Sequence, residues 1–224
     1  MSYLPRVLTA FGRLFEYPDE HTSEYAELLF VVLQHEVPEA ASCISRFGAY
    51  IEQHAMTELE ELYSSTFEVN PACPAEVGWH LFGEEYARGL FLVRMRQELK
   101  KYGLEESIEL PDHLTHALAV TAAMPDSEAV RFVKACLQPA VEKMSTAIEG
   151  KRTEYEHVLH ALRIVLEHAW GPRPVSEEED FRNRVPFARD PLRDYQVADV
   201  GSNCGTGCTT PGELIQLDVS KKQV

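Results

Sequence analysis

The 224-residue chain is 45% hydrophobic and 25% charged, a composition typical of a soluble globular protein that excludes the disordered and fibrous classes. Its 36 acidic and 21 basic side chains give a formal net charge of −15, which repels nucleic-acid phosphates and favours basic partners. The sequence therefore predicts no nucleic-acid partner.

The sequence shows no sign of export or of a membrane span. Its first residues lack a basic segment followed by an apolar run, and no stretch approaches the ~18 uninterrupted apolar residues of a membrane helix. The five cysteines are few, odd in number and scattered, unlike the disulfide framework of a secreted domain. Cys43 and Cys136 fall in helical patterns and are interpreted as small core residues. We predict a cytoplasmic protein.

Apolar periodicity predicts helices almost continuously up to about Gly171, and no stretch shows convincing strand alternation. We therefore expect an all-α fold, a single helical bundle. The first predicted helix covers 7–15 and ends before Pro18, and the second covers 23–36. A third begins near Pro38, and a fourth is opened by a capping box of Thr57 and Glu60. In the last of these, Tyr63 and Phe67 are four residues apart and share one face.

The longest periodic segment runs from about Ala75 to Tyr102, with a possible break at Gly83. Its residues 90–93 are consecutive apolar side chains that would point to all sides, which predicts a buried central helix. Arg88 lies on the inward stripe of this segment, and a buried guanidinium needs a partner. Glu109 or Asp112 is the expected partner; the alternative is a surface pair with Glu84 that contributes only ~0.3–0.5 kcal/mol.

The segment Glu109–Leu114 forms a hinge between two helical patterns. Pro111 suits the first position of a helix because its missing N–H would be unpaired there, which places Asp112 in the first turn. Asp112 and His113 resemble a catalytic pair, but neighbours on a helix diverge by roughly 100°, so Asp112 cannot easily orient the imidazole. We predict that the protein is not an enzyme.

Beyond the hinge the pattern predicts a helix to Met124, a further pair from Ser127 with a bend at Pro139, and a last helix over 154–170. Residues 1–171 are thus predicted to form one helical domain. Residues 172–224 lack sustained periodicity and are predicted to be an extended, partly disordered tail.

Three groups of residues suggest metal chemistry as an alternative. Cys204 and Cys208 lie in a glycine-rich loop and could be half of a metal or redox site in an assembly factor, although a plain tail explains them too. Glu154 and His157 match one quarter of a di-iron set in a small helical metalloenzyme, and the histidine pairs 113/116 and 157/160 have helical spacing. No metal ligand set is complete, so we predict no intrinsic metal or cofactor.

The order of several short motifs resembles the redox-enzyme maturation chaperones of the TorD/DmsD superfamily, and most closely their nitrate reductase delta, or NarJ, branch. The resemblance covers about residues 5 to 170. Its motifs are Leu-Phe-Glu-Tyr-Pro-Asp-Glu at 14–20, Tyr-x-x-x-Phe-Glu at 63–68, His-Leu-Phe-Gly-Glu-Glu-Tyr-Ala-Arg-Gly at 80–89, and Tyr-Gly at 102–103 leading into Glu-Leu-Pro-Asp-His-Leu at 109–114.

This resemblance implies a non-catalytic helical bundle that binds the N-terminal leader of a molybdopterin oxidoreductase catalytic subunit. Such chaperones hold that subunit while the molybdenum cofactor, and in some cases iron–sulfur clusters, are inserted. The resemblance implies a peptide-binding site made of Glu109, Leu110, Pro111, Asp112 and His113 of the hinge, with Tyr63, Phe67, Arg88 and Tyr102 as groove wall or support. We expect a monomer or homodimer.

Within that site we hypothesise two roles. Asp112 would contact an arginine of the leader directly, and Arg88 would brace the hinge from inside.

Overall fold

The computed structural model describes residues 3–151 and 153–172, and this part of the chain is helical, as the sequence predicts. Its α-helices are α1 Leu4–Leu14, α2 Thr22–Glu36, α3 Pro38–Gln53, α4 Met56–Tyr63, α5 Val77–Phe82, α6 Tyr86–Lys101, α7 Leu114–Ala123, α8 Asp126–Phe132, α9 Gln138–Ile148 and α10 Tyr155–Trp170. Two π-helical turns, Ser64–Glu68 and Val133–Leu137, extend α4 and join α8 to α9.

The core is one continuous apolar cluster to which every helix contributes. Helix α3 packs between α2 and α10, and α1 lies against α2 and α7. Thr115 fixes the close approach of α1 and α7, because its hydroxyl donates a hydrogen bond of 2.9 Å to the Gly12 carbonyl. None of the helices in 3–151 and 153–172 is long and apolar enough to cross a membrane.

Two predictions about helix starts and burial are wrong. Helix α4 begins one residue before Thr57, and the residue that closes its N-terminus is Glu58, whose carboxylate accepts a 2.8 Å hydrogen bond from the Ala55 N–H. The predicted central helix is instead a surface helix, α6, whose Leu90 and Val93 face solvent. The predicted break before it is confirmed, since Gly83 has a φ of 60° and separates α5 from α6.

The cysteines in the described ranges are free thiols. Cys136 is fully buried, as predicted, whereas Cys43 is half-buried. Burial raises the pKa of the Cys73 thiol to about 12, so this cysteine is an inert core residue. Cys204, Cys208 and the predicted tail lie outside the described residues except for Pro172.

Candidate functional site: the hinge and its acidic rim

The hinge is fastened to the segment before α5 by a short antiparallel bridge between Glu76 and His113. The Val77 N–H donates to the Asp112 carbonyl at 2.8 Å, and the Leu114 N–H donates to the Ala75 carbonyl at 2.9 Å. Pro111 and Asp112 form a turn in which the His113 N–H donates to the Leu110 carbonyl at 2.9 Å, and the bridge holds His113 extended, so α7 does not begin at Pro111. It begins at Leu114 with His113 as its N-cap, and the prediction that Asp112 lies in the first helical turn is wrong.

Asp112 is fully buried and faces Arg88. The Arg88 Nε donates to Asp112 Oδ2 at 3.3 Å, and the Arg88 side chain is 20% exposed whereas that of Asp112 is 0% exposed. The expectation that a hinge carboxylate partners Arg88 is confirmed, and the alternative partner Glu84 is an exposed residue before α6. The guanidinium also lies 5.5 Å from the centre of the Trp79 ring, which adds a cation–π contact.

Gly78 makes room for this pair. A Cβ at position 78 would lie 2.5 Å from Asp112 Oδ2 and 2.9 Å from the Phe91 ring, so any larger residue collides with the carboxylate. Sequence reasoning missed Gly78, because a single glycine inside a helical pattern does not by itself show which residue packs against it. We call Gly78, Arg88 and Asp112 the buried lock.

Burial raises the pKa of Asp112, while Arg88 and the backbone N–H of Gly78 oppose that shift. Asp112 Oδ1 has no hydrogen-bond partner among the described residues. Since this oxygen is sealed from solvent, a leader arginine could reach it only if the lock opened. The structure therefore places Asp112 beneath the surface and leaves its direct contact with a leader untested.

The two hinge-proximal histidines are structural. Burial and the charge of His116 lower the pKa of His113 to about 3, and its Nδ1 accepts the Thr115 N–H at 3.3 Å. His116 lies within hydrogen-bond distance of the Leu110 carbonyl through Nδ1 and of the Ser107 N–H through Nε2, at 2.9 and 3.1 Å. These bonds occupy nitrogens that a metal or a catalytic proton transfer would need.

Tyr63 and Phe67 belong to an aromatic cluster beside the hinge. The Tyr63 hydroxyl donates to the Phe15 carbonyl at 3.0 Å, and its ring lies 5.3 Å from Phe67 and 5.6 Å from the half-exposed Tyr17. Both residues are buried, so they support the site from below. The π-helical turn that carries Phe67 presents the next residue, Glu68, to solvent.

Burial raises the pKa of the Tyr63 phenol, and so do the charges of four glutamates: Glu109, Glu68, Glu76 and Glu16. Burial and the charges of Glu68 and Glu16 raise the pKa of Glu109. Burial, Asp112 and Glu109 raise the pKa of Glu76, against an opposing effect of Arg88. We call Glu68, Glu76 and Glu109 the acidic rim. Glu16 is not included because its carboxylate is paired with Arg13 at 2.7 Å.

Within the described part of the chain, the acidic rim forms no ion pair. Next to these carboxylates, Val69 and Leu110 are exposed apolar side chains, as is Tyr17 beside Tyr63. The site thus combines unneutralised negative charge with uncovered apolar surface. Sequence reasoning included Glu109 but missed Glu68 and Glu76, since acidic residues 33 to 41 positions away give no local signal of proximity to the hinge.

Tyr102 lies away from this site. It follows the last turn of α6, about 20 Å along the helix from Arg88, and its hydroxyl donates to Glu128 of α8 at 2.8 Å. It supports the contact between α6 and α8.

The metal alternatives find no support in the residues that the structure describes. No three potential ligands among His, Cys, Asp and Glu are grouped there. Glu154 and His157 form a pair at 3.5 Å on the first turn of α10. The alternative based on Cys204 and Cys208 stays a prediction outside the described ranges.

Comparison with known proteins identifies the family. The chain is 25% identical over 206 residues to the nitrate reductase molybdenum cofactor assembly chaperone NarJ of Escherichia coli strain K12, covering 89% of this chain and 87% of the relative. The same protein of strain O157:H7 matches equally. A crystal structure of a putative redox enzyme maturation protein from Archaeoglobus fulgidus shares the fold, with a TM-score of 0.53 and 22% identity over 73% of this chain and 94% of that one.

A model of the nitrate reductase delta subunit family matches residues 32–169, more than half of the chain. This match includes the buried lock and the acidic rim, and it confirms the resemblance found in the sequence. The chain belongs to the nitrate reductase delta subunit family of redox-enzyme maturation chaperones.

Proposed function

We propose that this protein is a system-specific chaperone that binds the N-terminal leader of a molybdopterin oxidoreductase catalytic subunit and assists insertion of its molybdenum cofactor. Family membership and the names of the relatives support the chaperone role and a nitrate reductase-type client. The finer part of the proposal, recognition of the leader at the hinge, depends on the site geometry.

The observation that carries leader binding is the acidic rim. Burial and neighbouring carboxylates raise the pKa of Glu76 and of Glu109, so the charged forms of these two residues are destabilised, and a cation placed among the rim carboxylates removes that repulsion. A chain of net charge −15 also attracts a basic segment at long range. A basic leader residue at the rim satisfies both requirements.

The apolar part of a leader has contact surface beside the rim. Tyr17, Val69 and Leu110 are exposed, and each adjoins the rim or the Tyr63 ring beneath it. Peptides of mixed basic and apolar character bind by placing their apolar anchors on such surface while charge fixes their register. The buried lock supports this surface by holding the hinge to α5 and α6.

The proposed role requires no catalysis and no resident cofactor, since the molybdenum cofactor is destined for the client. The hinge is consistent with this, because Asp112 and His113 are each engaged by other groups. We propose the cytoplasm as the place of action, where buried free thiols such as Cys73 and Cys136 persist.

Calorimetry with the cognate leader peptide tests the site. The triple variant Glu68→Gln, Glu76→Gln, Glu109→Gln removes the negative charge of the rim with little change in shape. Exposed charge contacts contribute ~0.2–1 kcal/mol each, so we expect the dissociation constant to rise about 3- to 100-fold.

A matched control replaces three exposed glutamates on α2 and α3, with Glu27→Gln, Glu39→Gln and Glu52→Gln. It changes the net charge equally and should leave binding nearly unchanged. Equal weakening in both variants would show that general charge, and not the rim, attracts the leader. Co-purification of a molybdenum- and iron–sulfur-containing subunit that is lost on removal of its leader tests the chaperone role itself.

A further inference from the structure

Helix α6 carries apolar side chains on the side that faces solvent. Its buried residues Phe91, Met95 and Leu99 lie on one face, and Tyr86, Leu90 and Val93 lie on the opposite face. These three side chains are 79%, 48% and 52% exposed. Their spacing of four and three residues makes one stripe about 10 Å long, which we call the outer stripe.

The outer stripe is separate from the leader site. Arg88 points from α6 toward Asp112, and Tyr86 is two residues away, which is about 200° around the helix. A ligand bound at the acidic rim therefore does not cover the outer stripe. The stripe needs another occupant, because surface helices of globular proteins normally present polar side chains on this side.

The charges that flank the outer stripe are of opposite sign at its two ends. Glu84 and Glu85 are exposed just before the helix, and Lys100 is exposed in its last turn. Arg96, one turn earlier, is already paired with the Glu106 carboxylate at 2.7 Å. Two copies of α6 in antiparallel orientation would place the acidic end of each against the basic end of the other. A parallel pair would bring like charges together.

The geometry around the stripe also permits a close approach. A Cβ added at Gly89, beside the stripe, would meet nothing within 4 Å, so the outer surface is open there. A two-fold axis between Leu90 and Val93 would bring Leu90 of one copy against Val93 of the other, and it would place Glu84 near Lys100 of the second copy.

We propose that the outer stripe is a homodimer interface, in which α6 of one copy packs antiparallel against α6 of a second copy. This goes beyond the chaperone function. A stable interface buries ~800 Å² per partner, more than three side chains supply, so the dimer forms reversibly and depends on concentration.

Sedimentation velocity of the full chain from micromolar to millimolar concentration tests the dimer. We expect a reversible monomer–dimer equilibrium, and Val93→Glu, which buries a charge at its centre, should raise the dimer dissociation constant at least about tenfold. Val130→Glu is the matched control, since Val130 is a similarly exposed valine on α8 and should leave the equilibrium unchanged.

A charge exchange tests the orientation. Glu84→Lys and Lys100→Glu should each weaken the dimer, and the double variant should recover the affinity of the parent protein. A chain that stays monomeric throughout, a double variant that does not recover, or equal effects of Val93→Glu and Val130→Glu would overturn the proposal. So would loss of leader binding in Val93→Glu without a change in self-association.

Discussion

The buried lock and the acidic rim each contain a carboxylate of the same hinge, and the two carboxylates differ in their burial and in their ion pairing. Asp112 is sealed from solvent and bound to Arg88, whereas Glu109, three residues earlier, is half-exposed and forms no ion pair with the residues that the structure describes. A buried ion costs several kcal/mol unless it is paired, so Asp112 serves the fold. An accessible carboxylate that lacks a cation is available to a partner.

The largest expected effect is a test of the lock. Gly78→Ala places a methyl group 2.5 Å from Asp112 Oδ2, which must separate the carboxylate from Arg88 or displace α5. Overpacking and a broken buried pair together should lower the free energy of unfolding by about 3–5 kcal/mol, measured by urea denaturation. Gly48→Ala in α3, where a Cβ meets nothing within 4 Å, is the control and should stabilise the protein by up to about 1 kcal/mol.

Removal of Arg88 should have a somewhat smaller effect. Arg88→Ala leaves Asp112 buried without its cation, and because Arg88 itself is partly exposed we expect a loss of about 2 kcal/mol in urea denaturation. Arg96→Ala breaks the exposed pair with Glu106 and should leave the denaturation midpoint almost unchanged. Equal midpoints for both variants would contradict the bracing role of Arg88.

The stability of the protein should also depend on pH through His113, the residue that follows Asp112 of the lock. Its pKa is about 3 in the folded chain and 6.5 as the ordinary value, so the unfolded state binds more protons between these values. The stability is fully present above pH 6.5 and falls as the pH drops toward 3, by at most ~1.4 kcal/mol per pH unit.

His113→Asn should flatten this dependence, because asparagine caps a helix without titrating. Raised pKa values of Asp112 and Glu76 act in the opposite direction at low pH and are common to both proteins. Comparison of the two chains by denaturation at several pH values therefore isolates His113. An unchanged slope in the variant would show that His113 is not buried neutral.

The smallest effect on stability is expected at the rim. Glu109→Gln removes repulsion from Glu68 and Glu16, so the free energy of unfolding should stay within about 0.5 kcal/mol of the parent value or rise slightly. The same variant should weaken leader binding in calorimetry. A clear loss of stability would mean that Glu109 belongs to the fold, and the contrast between rim and lock would fail.

Much of this protein follows from its sequence. The order and approximate positions of the helices are predictable because apolar periodicity is a local property, although the starts of α4 and α7 were not. For the partner of Arg88 the sequence left Glu109 or Asp112, with Glu84 as the alternative. The order of short motifs was sufficient to predict the family that the match over residues 32–169 confirms.

Tertiary structure decided the rest, because it depends on contacts between distant residues. The bridge from Ala75–Val77 to the hinge delays the start of α7, and the approach of Gly78 to Asp112 fixes which carboxylate meets Arg88. The π-helical turn after α4 and the segment before α5 bring Glu68 and Glu76 to Glu109. The sequence by itself determined a helical chaperone with an acidic hinge, and only the fold separated the carboxylate that holds the hinge from those that face a partner.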